Sequence, residues 1–388
     1  MSQAIDSNGK KIYKKEQSFN TFVSNLGTDI SVQKERTLKS LTLFVDSSDE
    51  KKRVDVVQKA LCDLENSNPQ AVDFKLTTPI ADEISKLSDE DIPRYIYHRY
   101  RYDVYPRKNM LDNYPPYLQI EPTSICNFRC VFCYQTDVAF TKKSEGFMGS
   151  MDFDLFKEII DQCVDKVEFF SLASRGEPLI CKDIVKMVEY CRGKFLGLKM
   201  NTNASMLTEE KCHAILSGGI NTLVFSADAA VEPLYSQMRV NGKLEKVLAN
   251  IRMFRSIKEK QYSKSKIITR VSGVKFKTEQ SMESMRDVWG ELVDQICFVD
   301  YNPWENVYDA PESNVDKPCS DLWRRMFIWF DGKANPCDTD YKSHLMVGQQ
   351  QGKSITDLWR SESYESLRQA HLNNKRSNVE PCRRCTVI

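Results

Sequence analysis

The stretch IEPTSICNFRCVFCYQ, residues 120–135, places three cysteines within eight positions: Cys126, Cys130 and Cys133. Four thiolates complete a closed metal site, so three ligands leave one position open. Gaps of three and two residues wrap the chain tightly, as is needed when each thiolate binds a different iron of a compact cluster. The loop therefore predicts an iron–sulfur cluster with one open iron. A structural zinc site or simple buried thiols are the alternatives.

The loop stands at the start of a repeating pattern of strands and helices. From Tyr117 onward, short apolar runs alternate with amphipathic stretches, which predicts β/α units around a parallel sheet that is either open or curled into a partial barrel. We expect strands at 117–121, 167–172, 196–201, 222–227, 267–272 and 295–300. Apolar residues at helical spacing predict helices at 153–163, 184–191, 244–254 and 282–292. Such folds bind ligands at the carboxyl ends of their strands, and the cysteine loop follows the first strand directly.

Composition and charge narrow the class of protein. The 388 residues carry a net charge of +1, with 41% apolar and 28% charged residues, as in ordinary soluble proteins. This balance gives no electrostatic reason to expect a nucleic-acid or membrane partner. The first 17 residues contain no apolar signal-peptide core, and no apolar run approaches transmembrane length. We therefore expect a cytoplasmic protein with neither partner.

The thirteen cysteines divide into isolated and clustered residues. An odd number without a secretion signal argues against disulfides, because the cytosol keeps thiols reduced. Only four histidines are present, so a histidine-built metal centre is not expected. Six isolated cysteines are predicted to be small buried hydrophobes: Cys62, Cys163, Cys181, Cys191, Cys212 and Cys297.

The region before the cysteine loop is predicted to be a mainly helical extension. Residues 1 to about 35 are polar and predict a loose arm. LTLFV (41–45) predicts a strand, and SSDE predicts a helix capping box formed by Ser47 and Glu50. Two helical stretches follow, at 54–64 and near 81–100.

Two proline-containing segments, 105–117 and 302–318, are interpreted as linkers. They divide the chain into an N-terminal extension (1–115), a barrel (116–305) and a small C-terminal domain (306–388). In the last of these, RMFIWF-DG-KANP predicts a hairpin around Asp331 and Gly332. Ser354 and Asp357 predict the capped start of a helical region at 355–372.

The motifs resemble those of one family. CNFRCVFCY resembles the signature of the radical S-adenosylmethionine (radical SAM) superfamily, Cys-x3-Cys-x-aromatic-Cys, with Phe132 as the aromatic residue. SRGEP (174–178) follows the second strand and resembles the family's Gly-Gly-Glu-Pro motif, with Arg175 in place of the first glycine. FSADA (225–229), after the fourth strand, resembles the family's Ser-x-Asp. The resemblance implies a partial (β/α)6 barrel.

The resemblance also implies roles for individual residues. The three loop cysteines would be the catalytic and metal-binding residues, holding a [4Fe–4S] cluster whose open iron binds SAM. Glu177 would hold the methionine amino group, because an ammonium is stabilised by a carboxylate. Ser226 would contact the ribose, and the Arg239 guanidinium would bind the methionine carboxylate. The full cofactor-binding set implied is Phe132, Tyr134, Gly176, Glu177, Asn201, Ser226 and Arg239.

A second cysteine group lies beyond the barrel. Cys319, Cys337, Cys382 and Cys385 form the pattern C-x17-C-x44-C-x2-C. With its flanking residues, this pattern resembles the SPASM/twitch extension of radical SAM enzymes. Four cysteines imply one auxiliary [4Fe–4S] cluster that is fully ligated. A structural zinc site of four cysteines is the alternative.

The resemblance implies an oxidoreductase. Reductive cleavage of SAM would give methionine and a 5′-deoxyadenosyl radical, which removes a substrate hydrogen. The fully ligated auxiliary cluster has no spare iron position, which suggests that it accepts an electron from the substrate radical. We therefore expect dehydrogenation of a sugar, aminocyclitol or nucleotide-sugar. The expected electron donor is a flavodoxin or ferredoxin.

Two other functions remain open. The first is a peptide- or protein-modifying maturase of the RiPP or sulfatase-maturase type, whose partner is a peptide. The second is a non-catalytic protein whose clusters serve structure or electron relay, although the SAM-contact motifs would then have no purpose. Residues 1–115 show mainly helical signals instead of a three-stranded, winged-helix-like leader-binding module. This favours the small polar substrate.

Overall fold

The computed structural model describes residues 6, 11–15, 19–68 and 70–388, and its centre is a sheet of ten strands. The strands of the chain are β1 (Phe19–Ser24), β2 (Tyr117–Ile120), β3 (Arg129–Cys130), β4 (Phe169–Leu172), β5 (Gly197–Thr202), β6 (Thr222–Ser226), β7 (Arg239–Val240), β8 (Ile268–Lys275), β9 (Gln295–Asp300), β10 (Arg325–Ile328), β11 (Lys333–Asn335) and β12 (Gly348–Gln349). Their order across the sheet is β1-β9-β8-β6-β5-β4-β2-β10-β11-β12, and β3 pairs with β7 separately.

Six consecutive strands of this sheet run parallel, in the order β2-β4-β5-β6-β8-β9. They are the six strands predicted from the sequence, and each prediction is confirmed. Together with the helices that connect them they form the predicted partial barrel. Strand β1 adds an antiparallel edge to β9, and β10 extends the parallel set beyond β2.

The helices are α1 (Ile30–Ser47), α2 (Lys51–Glu65), α3 (Thr78–Ser85), α4 (Ile92–Asp103), α5 (Val138–Thr141), α6 (Phe153–Cys163), α7 (Ile184–Tyr190), α8 (Glu209–Ser217), α9 (Leu234–Met238), α10 (Leu244–Gln261), α11 (Met282–Trp289), α12 (Asp321–Arg324), α13 (Ile355–Trp359) and α14 (Glu362–Leu372). The four helices predicted between the barrel strands are confirmed as α6, α7, α10 and α11. Their buried faces pack on the outside of the sheet and form the main hydrophobic core.

Helices α1–α4 form a separate helical unit with its own hydrophobic core, which reaches the barrel strands at their amino ends. The His98 ring stacks on Phe169 of β4 with their centroids 4.1 Å apart. Tyr102 meets Tyr117 of β2 edge-on at 5.7 Å. The unit therefore covers the amino end of the barrel, opposite the end that carries the cysteine loop.

Two predictions in this unit are wrong. LTLFV (41–45) is the C-terminal part of α1, because Asp29 caps a helix that begins at Ile30 and continues through the apolar run. Ser47 and Glu50 form no capping box: Ser47 ends α1 and donates its hydroxyl to the Leu43 carbonyl at 2.7 Å. Helix α2 begins at Lys51 without a side-chain cap.

The prediction of a loose arm over residues 1–35 is wrong where the chain is described. Residues 19–24 form β1, and α1 starts at Ile30. The rest of that prediction falls partly on residues 1–5, 7–10 and 16–18, outside the described residues. Among the isolated cysteines, Cys62 is exposed on α2, in contrast to the prediction, and the other five are buried.

The C-terminal region follows its predicted local signals. The Asp331–Gly332 turn joins the antiparallel strands β10 and β11, which confirms the hairpin. Ser354 and Asp357 form a capping box at the start of α13. The domain boundaries at residues 115 and 305 stay predictions. Among the described residues, no helix has the length and apolar character needed to cross a membrane.

Candidate iron–sulfur and SAM site

The three-cysteine loop is held at the carboxyl end of β2 by backbone contacts. Cys130, in β3, pairs with Arg239, in β7, and so brings these two predicted site residues together. The Gln135 side-chain amide donates to the carbonyls of Ser124 (2.8 Å) and Arg175 (2.6 Å), which joins the loop to the SRGEP segment.

Gly176 is required at this junction because the two segments touch. A Cβ on Gly176 would lie 2.6 Å from the Ile125 carbonyl oxygen, closer than any real contact. The Glu177 amide donates to the same carbonyl at 2.9 Å. The glycine of the motif is therefore explained by backbone approach to the residue that precedes Cys126.

The three thiols share an apolar environment. Phe128, Phe132 and Met238 pack around them in one buried cluster. Burial raises the pKa of Cys126 to about 12, and the Glu177 carboxylate adds to this rise. Burial also raises the pKa of Cys130, against the opposing effect of Arg239. Thiols with a raised pKa keep their protons until a metal ion replaces them. This environment therefore suits cysteines that bind a metal and does not suit free thiolates.

One cavity of about 560 Å³ occupies the interior of the barrel. Every residue predicted to hold the first cluster or SAM lines it: Cys126, Cys130, Phe132, Cys133, Tyr134, Gly176, Glu177, Asn201, Ser226 and Arg239. They lie on β3, β5, β6 and β7 and in the loops that follow β2 and β4. The structure thus brings together all the predicted site residues of the barrel.

The Glu177 carboxylate is buried and already accepts three hydrogen bonds from the protein. It accepts hydrogen bonds from the Leu179 amide (3.1 Å), the Thr202 hydroxyl (2.6 Å) and the Asn203 amide (2.7 Å). A carboxylate has about four acceptor positions, so one remains for a cationic ligand group. Burial raises its pKa, and the hydrogen bonds oppose that rise.

Arg239 is oriented by a residue that sequence reasoning left without a role. Its Nε lies 2.6 Å from Oδ2 of Asp228, a completely buried residue of the FSADA motif. Asp228 Oδ1 in turn accepts the Val274 amide at 2.6 Å. The guanidinium reaches Cys130, with Nη1 3.8 Å from Sγ. The acidic residue of the Ser-x-Asp motif is the sequence signal that identifies Asp228.

Asn201 and Ser226 lie near the carboxyl ends of neighbouring strands, and both are half-buried in the cavity wall. Asn201 Oδ1 is buried and has no hydrogen-bond partner among the described residues. A buried amide oxygen without a partner costs free energy unless a ligand supplies a donor. A hydrogen-bond donor on a bound polar cofactor would satisfy this oxygen.

Arg175, which replaces the first glycine of the family motif, has a structural role. Its guanidinium forms two hydrogen bonds to the fully buried Glu121, at 2.8 and 2.6 Å, and a third to the Tyr341 carbonyl at 2.8 Å. It also lies over the Trp329 ring, 4.3 Å from the centroid. Arg175 therefore joins the SRGEP segment to the C-terminal region.

The four C-terminal cysteines also come together, although they are far apart in sequence. Cys337 is close enough to Cys319 and Cys385 for their charges to act on its pKa, which burial raises strongly. Burial also raises the pKa of Cys319 to about 11. Asp338, next to Cys337, lines the barrel cavity, so this group borders the cavity wall.

A buried arginine orders this second group, and sequence reasoning missed it. Arg376 donates to the carbonyls of Cys382 (3.2 Å), Cys385 (2.7 Å) and Lys317 (2.9 Å). It thereby fixes the CxxC turn beside the segment that leads into Cys319. Nothing in the sequence around Arg376 marks it, because its three acceptors are all backbone carbonyls.

Both cysteine groups suit clusters of several irons. Within the described residues, no three His, Cys, Asp or Glu side chains are grouped to hold a single metal ion. The thiolates of a [4Fe–4S] cluster bind separate irons, so they need not converge on one point. Amide N–H groups already point at three of the sulfurs: Phe128 at Cys126 (3.4 Å), Thr339 at Cys337 (3.3 Å) and Val387 at Cys385 (3.5 Å).

A partial barrel with a three-cysteine loop at its carboxyl end, followed by a four-cysteine domain, defines a class of iron–sulfur protein. The sequence comparisons agree with this class. The model of the Radical SAM superfamily matches residues 120–287, and the model of the SPASM iron-sulfur cluster-binding domain matches residues 319–386. The chain therefore carries a radical SAM domain followed by a C-terminal SPASM domain. These domains imply a SAM-binding [4Fe–4S] cluster and auxiliary iron–sulfur binding.

Sequence comparison with curated proteins finds relatives that this chain matches over less than half of their own length. A tungsten-containing aldehyde ferredoxin oxidoreductase cofactor-modifying protein of Pyrococcus furiosus is 31% identical over 114 residues, 29% of this chain and 30% of that protein. A GTP 3′,8-cyclase of Clostridium botulinum is 30% identical over 145 residues, 36% of this chain and 44% of the cyclase.

The solved structure of Streptococcus suis SuiB bound to precursor peptide SuiA is similar in fold. It has a TM-score of 0.52 at 14% identity, covering 86% of this chain and 83% of SuiB. At this level of identity the likeness concerns the fold alone.

Proposed function

We propose that this protein is a radical SAM oxidoreductase that dehydrogenates a small polar substrate. The observation that carries the proposal is the common cavity, which the three loop cysteines share with every residue predicted to bind SAM. Cys126, Cys130 and Cys133 would hold the first cluster, and Glu177 and Arg239 would bind the two ends of the methionine group.

When bound, the reduced cluster and SAM supply a 5′-deoxyadenosyl radical, which removes a hydrogen atom from the substrate. The chain's own residues position the reactants and limit the access of water. Phe128 and Phe132 pack around the three loop cysteines, and Asp228 holds Arg239 through an ion pair. Arg175 and Glu121 hold the SRGEP segment against the C-terminal domain.

The second cysteine group is proposed to hold an auxiliary cluster that accepts an electron. Dehydrogenation of a secondary alcohol removes one hydrogen atom, one proton and one further electron, so an acceptor must lie near the substrate. Asp338, adjacent to Cys337, is part of the cavity wall. This proximity supports electron transfer from the cavity to the four-cysteine site.

The N-terminal unit supports a small substrate. Helices α3 and α4 cover the amino end of the barrel, and their residues Glu83, His98 and Tyr102 line the same cavity. The interior is rich in polar side chains, including Gln119, Ser171, Lys199 and Thr222. A polar chamber that is covered at one end suits a sugar, aminocyclitol or nucleotide-sugar.

The test is to incubate the reconstituted protein anaerobically with SAM, dithionite and panels of sugars, aminocyclitols and nucleotide-sugars. We expect a two-hydrogen loss from one substrate in step with 5′-deoxyadenosine release. The Cys130→Ala variant should show neither. Turnover of a peptide in the same assay, with no turnover of any small substrate, would replace this proposal with the maturase alternative.

A further inference from the structure

Eight cationic side chains line the barrel cavity, and they differ in whether a carboxylate neutralises them. Six of them have a carboxylate oxygen within 4.0 Å: Lys15, Arg99, Arg175, Arg239, Arg324 and Arg325. Lys199 and Arg270 have no ion-pair partner among the described residues. Two unpaired cations inside a folded barrel need an explanation, because burying an unpaired charge is costly.

The two cations lie in adjacent layers of the barrel interior. Asn201, Val224 and Arg270 occupy matching register positions on β5, β6 and β8, so Arg270 shares the layer of the predicted SAM contact Asn201. Lys199 lies two residues before Asn201 on the same strand, in register with Thr222. A rise of about 3.3 Å per residue places Lys199 roughly 6–7 Å below that layer, toward the amino end.

Arg270 is held in place but retains free donors. Its Nε donates to Gln295 Oε1 at 2.8 Å, and the Gln295 amide donates to the buried Asp82 Oδ2 at 2.6 Å. Its ring neighbours are Phe19 and Phe22, 5.4 and 5.6 Å from the guanidinium carbon. The Nη groups form no hydrogen bond to the described residues, so they are available to a ligand in the cavity.

The side-chain ammonium of Lys199 forms neither a hydrogen bond nor an ion pair with the part of the chain that the structure describes. Burial lowers its pKa to about 8, and the charges of Arg270 and Arg325 contribute to the decrease. Cys297 and Glu83 act in the opposite direction, more weakly. Glu83 is engaged elsewhere, since its Oε2 accepts the Tyr95 hydroxyl at 2.6 Å. The protein itself thus supplies no counter-ion to Lys199.

We propose that Lys199 and Arg270 form an anion-binding pair in the substrate chamber, and that the substrate carries a carboxylate or phosphate group that lies between them. This inference rests on the proposed function, because it places that group below the predicted SAM layer. An anion would supply an acceptor for the Lys199 ammonium and for the free Nη groups of Arg270. Charge-assisted hydrogen bonds from a lysine and an arginine suit either group.

The pair gives binding a defined pH dependence. Lys199 is charged below its pKa of about 8, and an anion beside it raises that pKa. Affinity for the anion is therefore full below about pH 8 and decreases as the pH rises through this value. Arginine stays charged throughout this range. The Lys199→Arg variant should accordingly retain binding and lose the pH dependence.

The experiment measures binding without turnover. Reconstituted full-length protein, saturated with SAM and without reductant, is titrated calorimetrically with glucose 1-phosphate, glucuronate and glucose. We expect at least one of the two anions to bind more tightly than glucose, and Lys199→Met or Arg270→Met to weaken it at least tenfold. Preference for the phosphate or for the carboxylate identifies which group the pair recognises.

Lys182→Met, at an exposed lysine, is the matched control and should bind as the wild type. Thermal melts of each variant without ligand report on folding. The proposal is overturned if both anions bind no better than glucose, or if folded Lys199→Met and Arg270→Met bind them as the wild type does. Because this assay needs no radical chemistry, its failure is distinguishable from the absence of 5′-deoxyadenosine release.

Discussion

The two cysteine groups of this protein differ in number of ligands and in what surrounds them. The barrel loop offers three thiols that line a cavity beside Glu177, Asn201 and Arg239. The C-terminal group offers four thiols, and Arg376 binds the backbone carbonyls of two of these cysteines, Cys382 and Cys385. A cluster with three thiolates can bind a ligand, whereas a cluster with four can only exchange electrons. This difference supports the proposal that the radical chemistry takes place at the first site and that the second site transfers electrons.

The largest expected effect is on the three-ligand site. Replacing Cys130 with alanine removes one of the three proposed cluster ligands, and no other thiol of the barrel loop is spare. Release of 5′-deoxyadenosine, measured by chromatography after reduction with dithionite, should decrease to background. Cys62→Ala, at the exposed cysteine of α2, is the matched control and should release it as the wild type does.

The four-ligand site should respond differently. In a Cys382→Ala/Cys385→Ala variant, iron should decrease by about four per chain. Formation of the dehydrogenated product should cease, because the substrate radical loses its electron acceptor. Release of 5′-deoxyadenosine should persist. If product still formed at the wild-type rate in this variant, the auxiliary site would have no role in the oxidation.

The contact between the two regions should contribute to stability. Glu121→Ala leaves Arg175 buried without its partner, and breaking such a pair costs about 3–5 kcal/mol of unfolding free energy. Chemical denaturation should show this loss, with a smaller one for Glu121→Gln. Glu145→Ala removes an exposed ion pair with Lys142 and should cost less than about 1 kcal/mol. Equal effects at positions 121 and 145 would contradict the structural role of Arg175.

The smallest predicted effect concerns the orientation of Arg239. Asp228→Asn keeps the shape of the side chain and removes its charge, so Arg239 is held less firmly toward Cys130. Loss of a residue that orients a ligand-binding side chain typically weakens binding about 10- to 100-fold. We therefore expect the KM for SAM to rise by about this factor, with a smaller change in kcat. Glu232→Gln, at an exposed carboxylate nearby, should leave both unchanged.

The sequence predicted the barrel well because its signals are local. Each of the six strands is a short apolar run with turn residues around it, and the Asp331–Gly332 turn determines its hairpin. The prediction of a strand at 41–45 was wrong because periodicity does not distinguish a short apolar strand from a helix segment. Asp29, whose side chain accepts from the Ser31 and Val32 amides, was the available signal for that helix.

The site was predictable only where a motif encodes it. The loop cysteines, Gly176 and Glu177 follow fixed spacings set by contact with a cluster or a neighbouring backbone. Arg270 and Arg376 could not be found in this way. Their roles depend on strand register and on backbone carbonyls from distant segments, neither of which leaves a local pattern in the sequence.

The central claim is that the three-cysteine loop holds a cluster with an open iron for SAM and that the four-cysteine group does not. Electron paramagnetic resonance of the dithionite-reduced protein, with and without SAM, tests it most directly. In the Cys382→Ala/Cys385→Ala variant, only the first cluster should remain, and SAM should change its signal. In a variant with alanine at 126, 130 and 133, SAM should leave the remaining signal unchanged. A SAM-dependent change in the second variant, or none in the first, would contradict the account.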